Sequence, residues 1–271
     1  MKYLDTTIEI INYDAVLKKH YDFYFFKLRK KYLKFVDKNF YNKINLDILV
    51  SSVAEKNIPN SYIYHNLCLY FSIIKILKKR KFKKIFVNNS FLKNQIEKKN
   101  KTPIVIKKNH YKFKSTINFI KVAIKHISIY LLANILCTKK INFNGATVVD
   151  RFVTDSNPNI DRYYNNFYRE KKDTYQIPTF VNLSLFQIFI FLLKIKKKKF
   201  IVKSKILNIS DIVFSLMFFF RIKKISFKKI YFEKLEISQL INNELRQSNN
   251  YNASVIGIKN YLFAKKLKYS N

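Results

Sequence analysis

Glycine occurs only twice in this 271-residue chain, at Gly145 and Gly257, and that scarcity restricts its folds and sites more than any other feature. A dinucleotide fingerprint takes three glycines at fixed spacing, and a P-loop takes two ahead of its lysine, because glycine alone lets the backbone approach a phosphate so closely. Two glycines standing far apart supply neither cradle in its standard form. Any phosphate must therefore be held by a helix N-terminus or by side chains.

The same shortage has a mundane side. Gly, Ala, Pro, Arg and Trp belong to G/C-rich codons, while Lys, Asn, Ile, Phe and Tyr belong to A/T-rich ones, so genomic drift accounts for part of the composition. Arginine occurs at only seven positions, which leaves lysine to supply most of the 53 basic residues; against 17 acidic ones they give a net charge of +36. With 48% of its residues hydrophobic, the chain can bury a core and is not a disordered polycation. Its surface nevertheless attracts phosphates, anionic lipid headgroups and nucleic acid.

Cys68 and Cys137 lie in apolar helical stretches and are too few for a disulfide framework, which favours a reducing compartment. His20, His65, His110 and His126 have no metal-ligand spacing, so neither a metal nor a cofactor is expected. The N-terminal eleven residues lack the basic head and apolar core of a signal peptide. Residues 174–193 carry no charge, but Gln176, Pro178 and Asn182 shorten the apolar helix to Phe180 through Leu193, less than the ~20 residues of a span. Followed by Lys196 to Lys199, that helix suits the surface of an anionic membrane better than its interior.

Along the chain, short β-rich runs alternate with helical patterns. Strands are expected at Thr6 to Ile11, Leu46 to Val50, Lys84 to Val87, Thr102 to Lys107, Ala146 to Val149, Tyr175 to Val181, Phe200 to Val202 and Lys229 to Phe232. Helices are expected between them, notably at Asp14 to Asn39, Tyr62 to Lys79 and Ser115 to Cys137. This alternation predicts an α/β fold with a largely parallel, Rossmann-like sheet and helices on both faces. Residues 1–141 form its N-terminal region, and 142–271 continue it or make a second small subdomain.

In such sheets, ligands bind beyond the carboxyl ends of the strands. Three expected strand ends carry polar residues there: Ser51, Ser52 and Glu55; Asn88 and Ser90; and Asp150, Arg151 and Asp155. If the strands are neighbours, the clusters share one edge, with Glu55 or Asp150 as a general base, hydroxyls and amides for sugar hydroxyls, and Arg151 for an anion. Arg162 and Tyr163, in the run Asp161-Arg162-Tyr163-Tyr164, supply one wall. The competing reading is that these residues merely cap helices.

Several runs, ILVSSVAEKNIPNSYIYHNLCLYFSIIKIL, KKIFVNNSFLKNQI, VVDRFV, DRYYNNF, YQIPTF and FEKLEISQLINNEL, together resemble the N-terminal half of large bacterial surface-carbohydrate biosynthesis proteins of glycosyltransferase type. The resemblance covers residues 46–268, with Lys56 where arginine is more usual. It implies one half of a two-domain transferase that passes a sugar from a nucleotide-sugar to a glycan or lipid-linked acceptor, with the C-terminal donor-binding domain absent. It also implies a cytoplasmic protein, peripheral on the inner face of the membrane. The alternatives are a basic nucleic-acid-binding protein, with lysines on phosphates and aromatics on bases, and a non-catalytic membrane-surface interaction protein.

Overall fold

The computed structural model describes residues 3–41, 45–107, 112–137, 147–159, 174–195, 200–247 and 251–269. In chain order, the first half holds β1 (Tyr3–Asp5), α1 (Ala15–Val36), α2 (Leu46–Leu49), α3 (Tyr62–Leu77), β2 (Lys84–Val87), α4 (Ser90–Glu97), β3 (Ile104–Ile106) and α5 (Lys112–Leu136). The second holds β4 (Thr147–Val153), β5 (Thr174–Phe180), α6 (Leu185–Lys194), α7 (Lys203–Ile206), α8 (Ile209–Leu216) and α9 (Phe218–Lys224). After these come β6 (Tyr231–Phe232), β7 (Leu235–Glu236), α10 (Ser238–Gln247) and α11 (Tyr251–Tyr269). The protein is mixed α/β, mostly helical, with short parallel sheets. It divides into two compact units: unit 1 is Met1–Thr116 with Phe219–Asn250, and unit 2 is Ile117–Phe218 with Tyr251–Asn271. These divisions fall at 116, 218 and 250.

Unit 1 contains a three-stranded parallel sheet in the order β1-β2-β3. Leu4, Ile85 and Ile104 stand side by side in its register and are all buried. The opposite face carries the exposed Tyr3, Lys84 and Val105, which no helix covers among the described residues. Beside it, α1 packs on α3. The apolar positions of α1, Leu17, Tyr21, Leu28, Tyr32 and Phe35, recur at helical spacing and are buried. By contrast, α3 is buried on nearly every side, and its polar Asn66 and Ser72 bond back to the carbonyls of Tyr62 and Cys68 four residues earlier. Caps start these helices where the sequence allows: the Asp14 carboxylate accepts from the amides of Val16 and Leu17, the Ser61 hydroxyl from that of Tyr64, and the Asn89 carbonyl from that of Leu92.

The run Leu46 to Val50 forms no strand. It makes the one-turn helix α2, capped by Asn45, whose side chain accepts from Ile48 N. Likewise, residues 6–11 form no strand: β1 ends at Asp5, and Ile10–Asn12 is a 3-10 turn.

Unit 2 is built around the parallel pair β4-β5, and Gln176 of β5 bridges to Phe200 in place of a third strand. Its core gathers Ile129 and Ala133 from α5, Val153 from β4, Leu183, Ile188, Phe191 and Leu192 from around α6, and Val202. A reciprocal cap, Ser184 with Gln187, starts α6. Ten residues long, α6 is about half the length of a span. The long apolar helix is instead α5, whose stretch Ile117–Leu136 has the length and hydropathy of a span.

Candidate functional site

The proposed strand-end residues fall into two groups in the structure. Ser51, Ser52, Glu55, Asn88 and Ser90 belong to unit 1, while Asp150, Arg151 and Asp155 belong to unit 2. Arg162 and Tyr163 lie outside the described residues. The shared sheet edge that would unite the clusters does not form among the described residues, because β4 pairs with β5 and not with β2.

In unit 1 these residues make local bonds. Ser51 Oγ donates to the Ile48 carbonyl (2.6 Å), Glu55 Oε1 accepts from Asn57 N (2.7 Å), Asn88 Oδ1 accepts from Asn89 Nδ2 (2.7 Å), and Ser90 Oγ accepts from Gln239 Nε2 (3.3 Å). Ser52 bonds to Glu244 of α10, whose carboxyl is raised above the usual range by burial against the lowering pull of that hydrogen bond. Lys56 pairs with Asp37 at 2.6 Å and lies over the Tyr41 ring. A wider groove of about 770 Å³ in this unit carries Lys31, Lys34, Lys38, Lys228 and Lys229, with Glu233 the lone carboxylate in its lining.

Unit 2 holds the more developed arrangement. Strand alternation sends Asp150 and Arg151 to opposite faces. Arg151 is buried, donating to the Pro158 carbonyl (3.1 Å) and to Gln176 Oε1 (2.6 Å), with its guanidinium over the Phe200 ring. It ties β4 to its surroundings. Asp155 accepts from Asn157 N in an exposed turn. Asp150 points the other way, its carboxylate half-exposed; it accepts from Thr179 Oγ1 at 2.8 Å and pairs with Lys203 Nζ at 3.3 Å. Lys203 spends its remaining donors on Thr179 Oγ1 (3.0 Å) and Asn260 Oδ1 (2.8 Å). Burial lowers its pKa, and the Asp150 charge opposes that shift.

Thr179 and Lys203, the two side chains bonded to this carboxylate, also line a cavity of about 60 Å³, together with Lys125, His126, Asn252 and Lys259. Lys259 of α11 is only 7% exposed. Its ammonium donates to His126 Nδ1 at 3.2 Å, which leaves the imidazole proton on Nε2, 3.1 Å from Asn252 Oδ1. Burial first, and then the charge of Lys203, brings Lys259 down to about 8. Burial first, with Lys259 beside it, brings His126 down to about 3, so the ring is neutral. Lys125 donates to the Leu183 carbonyl, and burial lowers its pKa as well.

The sequence reading named Asp150 and did not name Lys203, Lys259 or His126 as site residues. A lysine cannot stand out by type in so lysine-rich a chain. Lys259 does stand out by register, because it continues the stripe Val255–Ile258 on the buried side of α11. No group of three or more metal-ligating side chains occurs among the described residues. Comparison with protein-family models, curated proteins and solved structures gives no match to this chain.

Proposed function

We propose that the chain is a glycosyltransferase, or the acceptor-side half of one, in bacterial surface polysaccharide assembly, with its chemistry in unit 2. The observation that carries this reading is the half-exposed Asp150 carboxylate, fixed by Thr179 and Lys203, two residues that also line a lysine-rich cavity. In the proposed reaction the acceptor hydroxyl gives its proton to Asp150 and its oxygen bonds to the anomeric carbon. The bond from that carbon to the donor phosphate breaks, and the nucleoside diphosphate leaves with the electron pair, its charge offset by the lysines. The strand order β1-β2-β3, all parallel, is how one half of a Rossmann-like sheet is laid out, and it supports the finer fold assignment.

The same reading places the protein in the cytoplasm, peripheral on an anionic membrane. Ile117, Ile120, Ile124, Ile127, Leu131 and Ile135 of α5 are exposed at spacings of three and four, while Val122, Ile129 and Ala133 on its other side are buried. A helix held by its own unit along one side lies on a surface; it does not cross one. The net charge of +36 favours anionic lipid as the occupant over a second, equally charged copy. The nucleic-acid alternative gains nothing from Tyr32, Tyr64, Phe40 and Phe91, which are fully buried and unavailable to bases.

Release of nucleoside diphosphate from a panel of nucleotide-sugars, with a lipid-linked glycan as acceptor, tests the assignment. Asp150→Asn should lower turnover by ~10²-fold and leave the fold intact. Turnover equal to wild type would remove Asp150 from the mechanism, and no turnover with any donor or acceptor would remove the assignment.

A further inference from the structure

We infer that the unit 2 cavity, where Lys259 meets His126, is an oxyanion site shaped for a single phosphoryl group. Lys259 is more than nine-tenths buried and lines the cavity. An ammonium has three N–H donors, and among the described residues the bond found for this one is to His126 Nδ1. No carboxylate pairs with it among those residues. A buried ammonium left this way is costly, and ordinary cores avoid it by pairing the charge or replacing it with an apolar side chain.

The surroundings deepen the deficit. Lys203 and Lys125 line the same cavity, and Asp150 is the one carboxylate paired with any of the three among the described residues. The neutral His126, fixed by Asn252, directs the Lys259 ammonium without offsetting its charge. Two positive charges thus lack a counter-charge, beside the hydroxyl of Thr179 and the side-chain amides of Asn252 and Asn260. A phosphoryl oxygen accepts from the ammonium groups and the side-chain amides, and its negative charge supplies what the cavity lacks. Space for only a few heavy atoms favours one phosphoryl group over a whole nucleotide.

This deepens the glycosyl-transfer reading, on which it rests for the identity of the natural ligand: the group held there would be a phosphate of the donor. The site itself can be tested without turnover. Inorganic phosphate and pyrophosphate, titrated into the full chain at constant ionic strength with chloride as control, should bind saturably and raise the thermal midpoint.

Lys259→Met should weaken that binding at least tenfold while leaving the ligand-free protein at least as stable, since a buried charge has gone. Lys259→Gln, which keeps a donor for His126, gives the same readout if the methionine variant fails to fold. Lys265→Met removes the same charge from an exposed position on α11 and should leave binding unchanged. Equal loss in the Lys265 and Lys259 variants would reduce the effect to general attraction by a polycation, and unsaturable binding would overturn the site outright. Saturable binding that depends on Lys259, in a protein with no transferase activity, would uphold the site and reject the enzymatic reading.

Discussion

Glu244 Oε2 is buried with no hydrogen-bond partner among the described residues, although Ser52 serves the same carboxyl. Burial raises its pKa, so the folded state holds a proton that the unfolded chain has already released. Its contribution to stability is therefore full below the ordinary glutamate range and is lost as pH rises through the raised value. Glu244→Gln keeps a partner for Ser52 and removes the ionisation. Urea unfolding across acid to mildly alkaline pH should show the variant gaining on wild type as pH rises, with the two converging in acid. A difference independent of pH would mean that the group is not ionising in place. Neither this residue nor the Lys259–His126 pair was legible beforehand, because what distinguishes them is burial without a partner. Asp150 was legible because carboxylates are scarce here. Arg151 was legible as a charge, and the alternation of β4 explains why it does not share a face with Asp150.

At the scale of the element, long periodic segments were read correctly and short apolar ones were not. The pattern of α1 and α3 extends over many turns, and the strand at Lys84–Val87 is bounded by polar residues on both sides. A five-residue apolar run such as Leu46 to Val50 suits a buried strand or a buried helical turn equally well. The helix prevails where Asn45 caps it and where Asp47, in its first turn, meets Arg221 of α9 through two bonds of 2.7 and 2.8 Å. That paired geometry, on side chains largely withdrawn from solvent, should give a coupling of about 1 kcal/mol in a double-mutant cycle of Asp47→Asn and Arg221→Met. Arg221→Lys should recover only part of it, since lysine cannot form both bonds. Zero coupling would leave Asn45 alone to account for the turn. The apolar length of α5 escaped notice because Lys121 and Lys125 interrupt its sequence, and only its exposed isoleucines show which side is unoccupied.

Across the whole molecule, charge and apolar surface act on the same partner. Lipid vesicles containing phosphatidylglycerol should bind the protein and release it at high salt, since attraction between exposed charges is screened within about 10 Å at 0.1 M. Ile124→Glu combined with Leu131→Glu, on the exposed side of α5, should abolish retention at low salt without altering helix content. Equal binding to uncharged vesicles would contradict the electrostatic part, and release only by detergent would mean that α5 inserts. The order in which the chain visits its two units bears on how the protein comes into being. Unit 1 is completed by Phe219–Asn250, whose Phe232, Leu240, Ile241 and Leu245 are buried. On the ribosome, its N-terminal segment must wait, with part of its apolar surface uncovered, while Ile117–Phe218 is synthesised. That interval exposes the nascent chain to chaperones, and a fragment ending at Thr116 would prolong it indefinitely.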